Sequence, residues 1–299
     1  EVLGYRCYPD VASVDGSVDL AVVVVPPSVA IPVVREAAEA GVENVVVVTA
    51  GFSETGADGA SHEGELKAVA AEYDLNLVGP NCLGVMNTTV DMNATFGPEM
   101  ALPGSVSFMS QSGAFITAVL DWAADQGIGF KDVVSLGNKA VLDETDFVRE
   151  WGDDPDTDVV LGYLESVKDG QEFLEAARET TQETPVAVVK SGRTDAGAKA
   201  ASSHTGAIAG SEAAYEAGLE QAGVLRADSV QELFDSARAL SGLPLPESDD
   251  VAVVTNAGGP GVMATDAIGD STLSLASFGD DTLDTFREVL PEEANIYNP

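Results

Sequence analysis

Apolar runs rich in valine, isoleucine and leucine alternate along this chain with longer stretches in which apolar residues recur at helical spacing. The run from Val18 to Val25 is followed by an amphipathic stretch from Ser28 to Gly41, and then by a second run from Asn44 to Ala50. The amphipathic stretch opens on a serine suited to cap a helix and closes on glycine. Short continuous apolar runs are typical of parallel strands buried on both faces and joined by crossover helices. The pattern predicts an α/β fold of tandem doubly wound domains.

The same alternation divides the chain into three predicted domains. The first, residues 1–95, runs into an irregular stretch from Thr88 to Pro103 that shows no clear period. The second, residues 96–243, alternates four apolar runs with helical stretches and leads into a linker rich in proline, serine and acid. The third, residues 250–299, stops without a finished element, and the chain begins without methionine at Glu1. We therefore expect a piece of a longer protein.

A short turn of polar and small residues joins a buried strand to a helix in the second domain and again in the third, as SQSGAF and NAGGPG. In a doubly wound sheet such a turn lies at the carboxyl ends of the strands, where a helix start offers free N–H groups to an anion. Plain chain reversal requires the same pattern, so each turn alone leaves both interpretations open. The first turn supplies our candidates for phosphate binding, Ser110, Gln111, Ser112 and Gly113.

The net charge limits the binding partners that we expect. The 299 residues include 50 Asp+Glu against 14 Lys+Arg, which gives a formal charge of −36. These acids are scattered through the periodic segments, so the charge belongs to the whole surface. Such a surface repels nucleic acid and anionic membranes, and we expect neither as a partner. It fits a salty cytoplasm, since about 1 M salt screens charges beyond roughly 3 Å, and it indicates a halophilic, haloarchaeal source.

Cysteine content and hydropathy indicate the cellular compartment in which the protein is expected. Cys7 and Cys82 do not make a disulfide framework, and their surroundings show no metal-ligand spacing. The longest apolar runs, such as Leu20 to Pro27, are far shorter than the roughly 20 residues of a membrane span. No targeting segment is visible. We expect a cytoplasmic protein without a membrane partner and without a metal site in this chain.

The segment SGRTDAGAKAASSHTGAIAGS, residues 191–211, places His204 among glycine, alanine and serine. It also holds part of a local concentration of basic residues, Lys190, Arg193 and Lys199. Positive charge of this density suggests a nearby anion, although solvated loop residues would give the same pattern. The other histidine, His62, is far away in sequence, which argues against a shared metal site. General acid–base and covalent catalysis by the imidazole both remain open.

Small residues around His204 would let a doubly charged phosphoryl group approach while backbone N–H groups solvate it. A phosphorylated histidine also needs its second ring nitrogen held, most simply by a carboxylate. Glu165 in LGYLES ends a buried run, next to the place where the run PVAVVK leads into the histidine segment. An ordinary carboxylate at a strand end explains Glu165 equally well on pattern alone.

The motifs GPNCLGVMN, SQSGAF, SLGNKA, LGYLES and SSHTGAIAGS occur here in this order. Together they resemble the NDP-forming acyl-CoA synthetases, also called ADP-forming acetyl-CoA synthetases, which are relatives of succinyl-CoA synthetase. The resemblance spans essentially the whole chain. It implies a Rossmann-like CoA-binding domain, truncated at its N-terminus, then a flavodoxin-like domain and the start of a third α/β domain. It also implies that His204 carries the phosphoryl group and that Glu165 steadies it.

The loops VVPPSVA and TAGFSETG resemble the coenzyme-contacting loops of that family. The resemblance thereby assigns coenzyme A contacts to Pro26, Pro27, Thr49, Asn81 and Cys82. Two family parts are missing. The first strand and its glycine-rich turn would precede Glu1, and the ATP-grasp portion that binds ATP or ADP with Mg²⁺ would be a β subunit or a fused domain. We therefore expect an oligomeric enzyme of which this portion alone makes no ATP.

The implied reaction converts acyl-CoA, phosphate and ADP reversibly into free acid, ATP and coenzyme A through a phosphohistidine. One alternative is a Rossmann-type NAD(P) oxidoreductase, although no G-x-G-x-x-G follows a strand in this sequence and a missing N-terminus could hide one. The other is a non-catalytic CoA-binding regulatory module of a protein acetyltransferase. Regulatory relatives of that kind tend to lack the phosphorylatable histidine, so the presence of His204 favours the enzyme.

Overall fold

A computed structural model describes residues 1–97, 99–192, 212–243 and 246–298. The chain divides into two units, Glu1–Leu243 and Pro244–Pro299, and each is described by itself. The three domain ranges given by the sequence pattern stay predictions.

Three parallel strands form the first sheet of the larger unit, in chain order β1 (Leu20–Val23), β2 (Asn44–Val47) and β3 (Asn76–Val78). Two crossover helices connect them, α1 (Pro27–Glu39) and α2 (Ala57–Tyr73). Val34 of α1 and Leu66 of α2 are completely buried against Val47 and Leu77 of the sheet. The apolar runs are therefore strands, as predicted, but β1 is not buried on both faces, since Val22 is 41% exposed.

Helix α1 begins one residue before the predicted serine cap. Pro26 is the N-cap residue, Pro27 occupies the first helical position, and no side chain caps the helix. Proline suits this position because its φ is already helical and its missing N–H is one that the helix leaves unpaired. The predicted cap at Ser28 is therefore wrong.

Seven strands form the second sheet of the larger unit. In chain order they are β4 (Gly84–Asn87), β5 (Met92–Thr95), β6 (Pro103–Ser110), β7 (Phe130–Ser135), β8 (Val159–Leu164), β9 (Val186–Lys190) and β10 (Leu225–Arg226). Their spatial order is β10-β9-β8-β6-β7-β4-β5. Strands β6 to β10 are parallel, whereas β4 and β5 are antiparallel, so the sheet is mixed.

Five helices within the described residues accompany this sheet. They are α3 (Gly113–Gln126), α4 (Glu144–Gly152), α5 (Gly170–Thr180), α6 (Glu212–Gln221) and α7 (Val230–Gly242). Alternate strand residues face two separate apolar cores. Phe108 packs with Phe130 and Phe234 in one core, whereas its neighbour Met109 lies with Trp151 in the other. Burial on both faces explains the continuous apolar runs of these strands.

The β4–β5 hairpin departs from the sequence prediction, which treated the chain from Thr88 onward as irregular. Strand β4 pairs with β7 of the second sheet, although its residues precede position 96. Strand β5 lies at the edge of the sheet and β4 lies between β5 and β7. Both are short and only partly apolar, so they lack the continuous run that marks a buried parallel strand. A Cβ at Gly84 would meet the Ala94 carbonyl oxygen at 2.1 Å, which shows how closely the hairpin backbones approach.

The smaller unit contains a two-stranded parallel sheet, β11 (Asp250–Val251) and β12 (Ser274–Leu275). Two helices accompany it, α8 (Gly258–Gly269) and α9 (Asp280–Val289). The turn NAGGPG therefore joins a strand to a helix, as the sequence predicted. Across the described residues of both units, no helix combines the length and the apolar character needed to cross a bilayer.

Candidate functional site

The carboxyl ends of β6, β8 and β9 meet at one edge of the second sheet. Leu164 of β8 lies opposite Lys190 of β9, and the Ser191 N–H donates to the Leu164 carbonyl at 2.9 Å. From β6, the Gln111 N–H donates to the Tyr163 carbonyl at 3.1 Å. Glu165 therefore follows one strand, and the segment that carries His204 follows the neighbouring strand. His204, Arg193 and Lys199 themselves lie outside the described residues.

The turn between β6 and α3 is fixed by its two serines. The buried Ser110 hydroxyl accepts from the Ser112 N–H at 3.0 Å and donates to the Ser112 carbonyl at 2.9 Å. Ser112 is the N-cap residue of α3, and its hydroxyl accepts from the Phe115 N–H at 3.3 Å. Both side chains thus hold the turn, and both residues stay predictions as phosphate ligands.

Gln111 has a specific structural task. Its side-chain oxygen accepts from the Ser166 N–H at 2.8 Å and from the Glu165 N–H, while its Nε2 donates to the Ser166 hydroxyl at 3.3 Å. The amide thus holds the peptide that carries Glu165, and Gln111 stays a prediction as a phosphate ligand.

Gly113 begins α3, and the hydrogen atom that a side chain would replace points into the protein. A Cβ there would meet Leu83 Cβ at 3.2 Å and Ser135 Oγ at 3.6 Å. A side chain at position 113 would therefore crowd Leu83 inside the protein and would not crowd an anion bound at the helix start. Among the described residues, the N–H groups of Gly113 and Ala114 have no hydrogen-bond acceptor. These first-turn groups are the part of the turn that suits an anion.

A buried ion pair that the sequence did not reveal supports the Glu165 peptide from the other side. Lys139 Nζ lies 2.9 Å from Glu144 Oε2 and donates to the Ser166 carbonyl at 2.9 Å. The two side chains are 7% and 0% exposed. Glu144 also accepts from the Lys168 N–H at 2.6 Å. The peptide after β8 is thus held by Gln111 on one side and by Lys139 with Glu144 on the other.

Lys190, which the sequence placed in a basic cluster, is buried at the end of β9 with 6% exposure. Its Nζ donates to the Ser191 carbonyl at 2.5 Å and lies 4.7 Å from the centroid of the Tyr215 ring. Burial lowers the pKa of Lys190, and the charges of Glu212, Arg226, Glu165 and Lys139 also act on it. The interpretation as a solvated loop residue is therefore wrong for Lys190. Lys190 therefore places a buried ammonium group near Glu165, whereas the charge of Lys139 is balanced by Glu144.

At the first sheet, the loops after its three strands also lie together. Thr49 Oγ1 donates to the Val25 carbonyl at 2.7 Å, and the Asn81 N–H donates to the Thr49 carbonyl at 2.9 Å. A Cβ at Gly51, whose φ is +108°, would meet Pro27 Cγ at 2.6 Å. Four of the residues assigned to coenzyme A, namely Pro26, Pro27, Thr49 and Asn81, are therefore on neighbouring loops at one sheet edge.

Cys82, the fifth of these residues, is 5% exposed. Its thiol donates to the Val47 carbonyl at 3.3 Å, and burial raises its pKa to about 12. The thiol is therefore neutral at physiological pH and points into the protein. The structure does not bring this side chain to the surface with the other four residues.

Asn138, also missed by the sequence analysis, lies at the centre of a polar cluster beside these loops. Its amide nitrogen lies 2.6 Å from Glu54 Oε2, 3.0 Å from Glu63 Oε2 and 3.2 Å from Ser53 Oγ. Its oxygen accepts from Asn81 Nδ2 at 3.2 Å. Burial opposes ionisation of Glu54, but the hydrogen bonds from Asn138 and the loop backbone lower its pKa overall. The Asn138 amide therefore faces ionised carboxylates.

No group of three or more metal-ligating side chains occurs within the part of the chain that the structure describes. Comparison with known families then defines two domains. Residues 1–88 match the model of a CoA binding domain, and residues 103–240 match that of a succinyl-CoA ligase like flavodoxin domain.

Similar proteins extend the match to the whole chain. The ADP-forming acetate–CoA ligase I of Archaeoglobus fulgidus is 49% identical over 299 residues, which cover 100% of this chain and 43% of the relative. The ADP-forming acetate–CoA ligase I subunit alpha of Pyrococcus furiosus is 43% identical over 295 residues, which cover 99% of this chain and 64% of the relative. This chain thus spans between two fifths and two thirds of the length of these relatives.

A solved structure agrees. The dinucleotide-forming acetyl-coenzyme A synthetase 1 of Candidatus Korarchaeum cryptofilum, in complex with phosphate and ADP, superposes with a TM-score of 0.94 at 40% identity. It matches 100% of this chain and 64% of its own. The chain therefore carries a CoA-binding domain followed by a succinyl-CoA ligase-like flavodoxin domain. Over its whole length the chain is similar to the alpha-type portion of ADP-forming acetyl-CoA synthetases.

Proposed function

We propose that this chain is the alpha portion of an ADP-forming acyl-CoA synthetase that acts on acetyl-CoA and carries its phosphoryl group on His204. The observation that carries the proposal is the Glu165 peptide, clamped at the carboxyl end of β8 beside the point where β9 leads into the His204 segment. The identity of 42% to 49% with ADP-forming acetate–CoA ligases over nearly the whole chain supports it. The oxidoreductase and regulatory alternatives gain no support from these relatives.

The proposed reaction has three steps. A phosphate oxygen attacks the thioester carbonyl, the C–S bond breaks, and coenzyme A leaves as its thiolate while acyl phosphate forms. An imidazole nitrogen of His204 then attacks phosphorus, and the carboxylate of the acid leaves. The terminal oxygen of ADP finally takes the phosphoryl group and regenerates the imidazole. Each step is reversible, so the same residues serve synthesis of acyl-CoA.

The chain's own residues have distinct tasks in this scheme. Glu165 accepts a hydrogen bond from the ring N–H of His204 at the nitrogen that is not phosphorylated, and so fixes the tautomer. The first-turn N–H groups of α3, together with the buried Lys190, supply positive potential for the phosphoryl oxygens. The loops that hold Pro26, Pro27, Thr49 and Asn81 receive coenzyme A. Nucleotide and Mg²⁺ belong to an ATP-grasp subunit or fused domain, which makes the complete enzyme an oligomer or a longer chain.

The histidine assignment is tested by mass spectrometry on the full-length enzyme. After incubation with acetyl-CoA and phosphate, we expect an acid-labile phosphoryl group on the peptide that contains His204. His204→Ala should abolish the label, whereas His62→Ala is the matched control because the chain has 2 histidines and His62 lies on α2. Label at the wild-type level in His204→Ala would contradict the assignment.

The charge of −36 supports a further part of the proposal, a halophilic protein that works in the cytoplasm of a haloarchaeon. Its 50 acids repel one another, and salt that screens this repulsion favours the folded state. We expect the melting temperature to rise by several degrees between about 0.1 M and 2 M KCl. A melting temperature that stays constant or falls over this range would contradict the halophilic origin.

A further inference from the structure

The turn that follows β7 of the second sheet contacts the loop that follows β3 of the first sheet. The Asn138 N–H donates to the Pro80 carbonyl at 2.9 Å, and the Ala140 N–H donates to the Gly79 carbonyl at 2.9 Å. A Cβ at Gly137 would meet the Pro80 carbonyl oxygen at 2.2 Å, so only glycine allows this approach. The turn is therefore fixed to the loop after β3 by its backbone.

Two consecutive side chains leave this turn toward different sites. The Asn138 amide reaches the loop Thr49–Gly56, which the sequence assigned to coenzyme A, through Ser53 and Glu54. The Lys139 ammonium reaches the Ser166 carbonyl, next to Glu165. Lys139 adopts a φ of +57°, in the left-handed region that non-glycine residues rarely occupy. Such a backbone is kept only where the surroundings determine it.

The chemistry of each contact gives each residue its task. The amide nitrogen of Asn138 is a donor between the carboxylates of Glu54 and Glu63, which would otherwise repel each other across the loop. Glu54 in turn accepts a hydrogen bond from the Phe52 N–H at 3.1 Å. The conformation of the loop backbone therefore depends on the position of the Glu54 carboxylate. Lys139 is neutralised by Glu144, and its remaining donor capacity holds a carbonyl of the Glu165 peptide.

We propose that Asn138 and Lys139 are positioning residues, Asn138 for the coenzyme A half of the site and Lys139 for the phosphohistidine half. This inference rests on the proposed function, because it names which residues hold the two halves of that site in place. Neither residue touches a reacting atom in this scheme. Each acts through one loop, so their effects should be separable.

The test uses the full-length enzyme and two readouts, the Kd for coenzyme A and the rate of His204 phosphorylation by ATP. Asn138→Asp keeps the side-chain shape but replaces the donor by a third carboxylate. It should raise the Kd for coenzyme A about tenfold, roughly the size of one lost charged hydrogen bond, and leave phosphorylation unchanged. Asn44→Asp, at the amino end of β2, is the matched control and should change neither readout.

The lysine is tested as a pair. Lys139→Met alone leaves the buried Glu144 without its cation and is expected to destabilise the fold. The double variant Lys139→Met/Glu144→Gln removes both charges and loses the bond to the Ser166 carbonyl. It should slow phosphorylation about tenfold with an unchanged Kd for coenzyme A, again about the size of one lost charged hydrogen bond. Lys168→Met is the control, because Lys168 Nζ reaches Val141 and Asp143 instead of Ser166.

The inference is supported if Asn138→Asp changes only the Kd for coenzyme A and Lys139→Met/Glu144→Gln changes only the rate of His204 phosphorylation. Equal losses in both readouts for either variant, or no change in either, would overturn it while the wild-type enzyme still binds coenzyme A and phosphorylates His204. A wild-type enzyme that does neither would overturn the proposed function as well, so the two failures are distinguishable.

Discussion

The two sheet edges of the larger unit differ in the charges they bury. The edge of the first sheet, to which we assign coenzyme A, holds Glu54 and Glu63 around Asn138. The edge of the second sheet holds Lys190 and the Lys139–Glu144 ion pair around the Glu165 peptide. Both ligands are anionic, yet among the described residues buried ammonium groups occur only at the phosphoryl edge, where Glu144 neutralises that of Lys139. In a chain with 14 basic residues, this difference indicates that side-chain charge is placed where the transferred group would lie.

This comparison revises the expected source of the positive potential. The sequence suggested that the helix start in SQSGAF would supply nearly all of it, since basic residues are few. The structure adds the buried ammonium group of Lys190, and desolvation strengthens its field relative to an exposed lysine. An acidic surface is therefore compatible with a buried ammonium group at the phosphoryl edge.

The largest effect is expected for Glu165→Gln. Glutamine keeps the shape but loses the charge that favours the required imidazole form, so turnover should fall about a hundredfold or more. The Kd for coenzyme A should stay within about twofold, because the first sheet is untouched. Steady-state kinetics and calorimetry on the full-length enzyme measure the two effects.

Glu172→Gln is the matched control for this change, since Glu172 pairs with Arg149 on the surface. We expect it to behave as wild type. A loss of coenzyme A affinity equal to the loss of turnover in Glu165→Gln would show that Glu165 maintains the fold.

A smaller effect is expected for Lys190→Met. Removing the buried ammonium should slow His204 phosphorylation about tenfold, which corresponds to roughly 1.4 kcal/mol. Stability at neutral pH should not fall, because methionine avoids the cost of burying a charge. A lower melting temperature with unchanged phosphorylation would contradict the assigned role.

The pH dependence of stability gives an independent readout for Lys190. Burial lowers its pKa below 10.5 in the folded state, so the unfolded chain binds the proton more tightly. Between the folded pKa and 10.5 the unfolded state holds more protons, and stability therefore rises with pH in this alkaline range. Lys190→Met should lack that gain in urea unfolding curves recorded across the range.

The sequence predicted the architecture well where one-dimensional patterns determine it. Buried parallel strands such as β8 and β9 show as continuous apolar runs, and their adjacency placed Glu165 beside the start of the His204 segment. The β4–β5 hairpin was missed because its short, only partly apolar strands lack such a run.

The supporting contacts could not be predicted for a different reason. Lys139 donates to the Ser166 carbonyl, and Gln111 accepts from the Glu165 and Ser166 N–H groups. These partners are backbone atoms, which every residue has, so no residue type in the sequence indicates the contact. The partners lie 27 and 54 to 55 positions apart and meet only once the sheet has formed. The polar cluster at Asn138 likewise joins positions 75 to 85 apart.

The smallest effect concerns Gly113 and asks how close the phosphoryl group comes to α3. A Cβ at this position would lie 3.2 Å from Leu83 Cβ, so Leu83 must shift slightly in Gly113→Ala. The strain opposes the better helix propensity of alanine, and we expect a stability change within about 1 kcal/mol. Gly113→Val adds bulk against Leu83 and should cost about 1–3 kcal/mol.

Because the added methyl group points toward Leu83 and Ser135, the folded Gly113→Ala enzyme should phosphorylate His204 at the wild-type rate. Melting curves and the acid-labile label measure the two properties separately. If Gly113→Ala melts normally but loses the label, the anion must lie against the Cα of Gly113. The helix start would then carry more of the phosphoryl binding than the buried Lys190, and the contrast between the two sheet edges would rest on backbone N–H groups instead of side-chain charge.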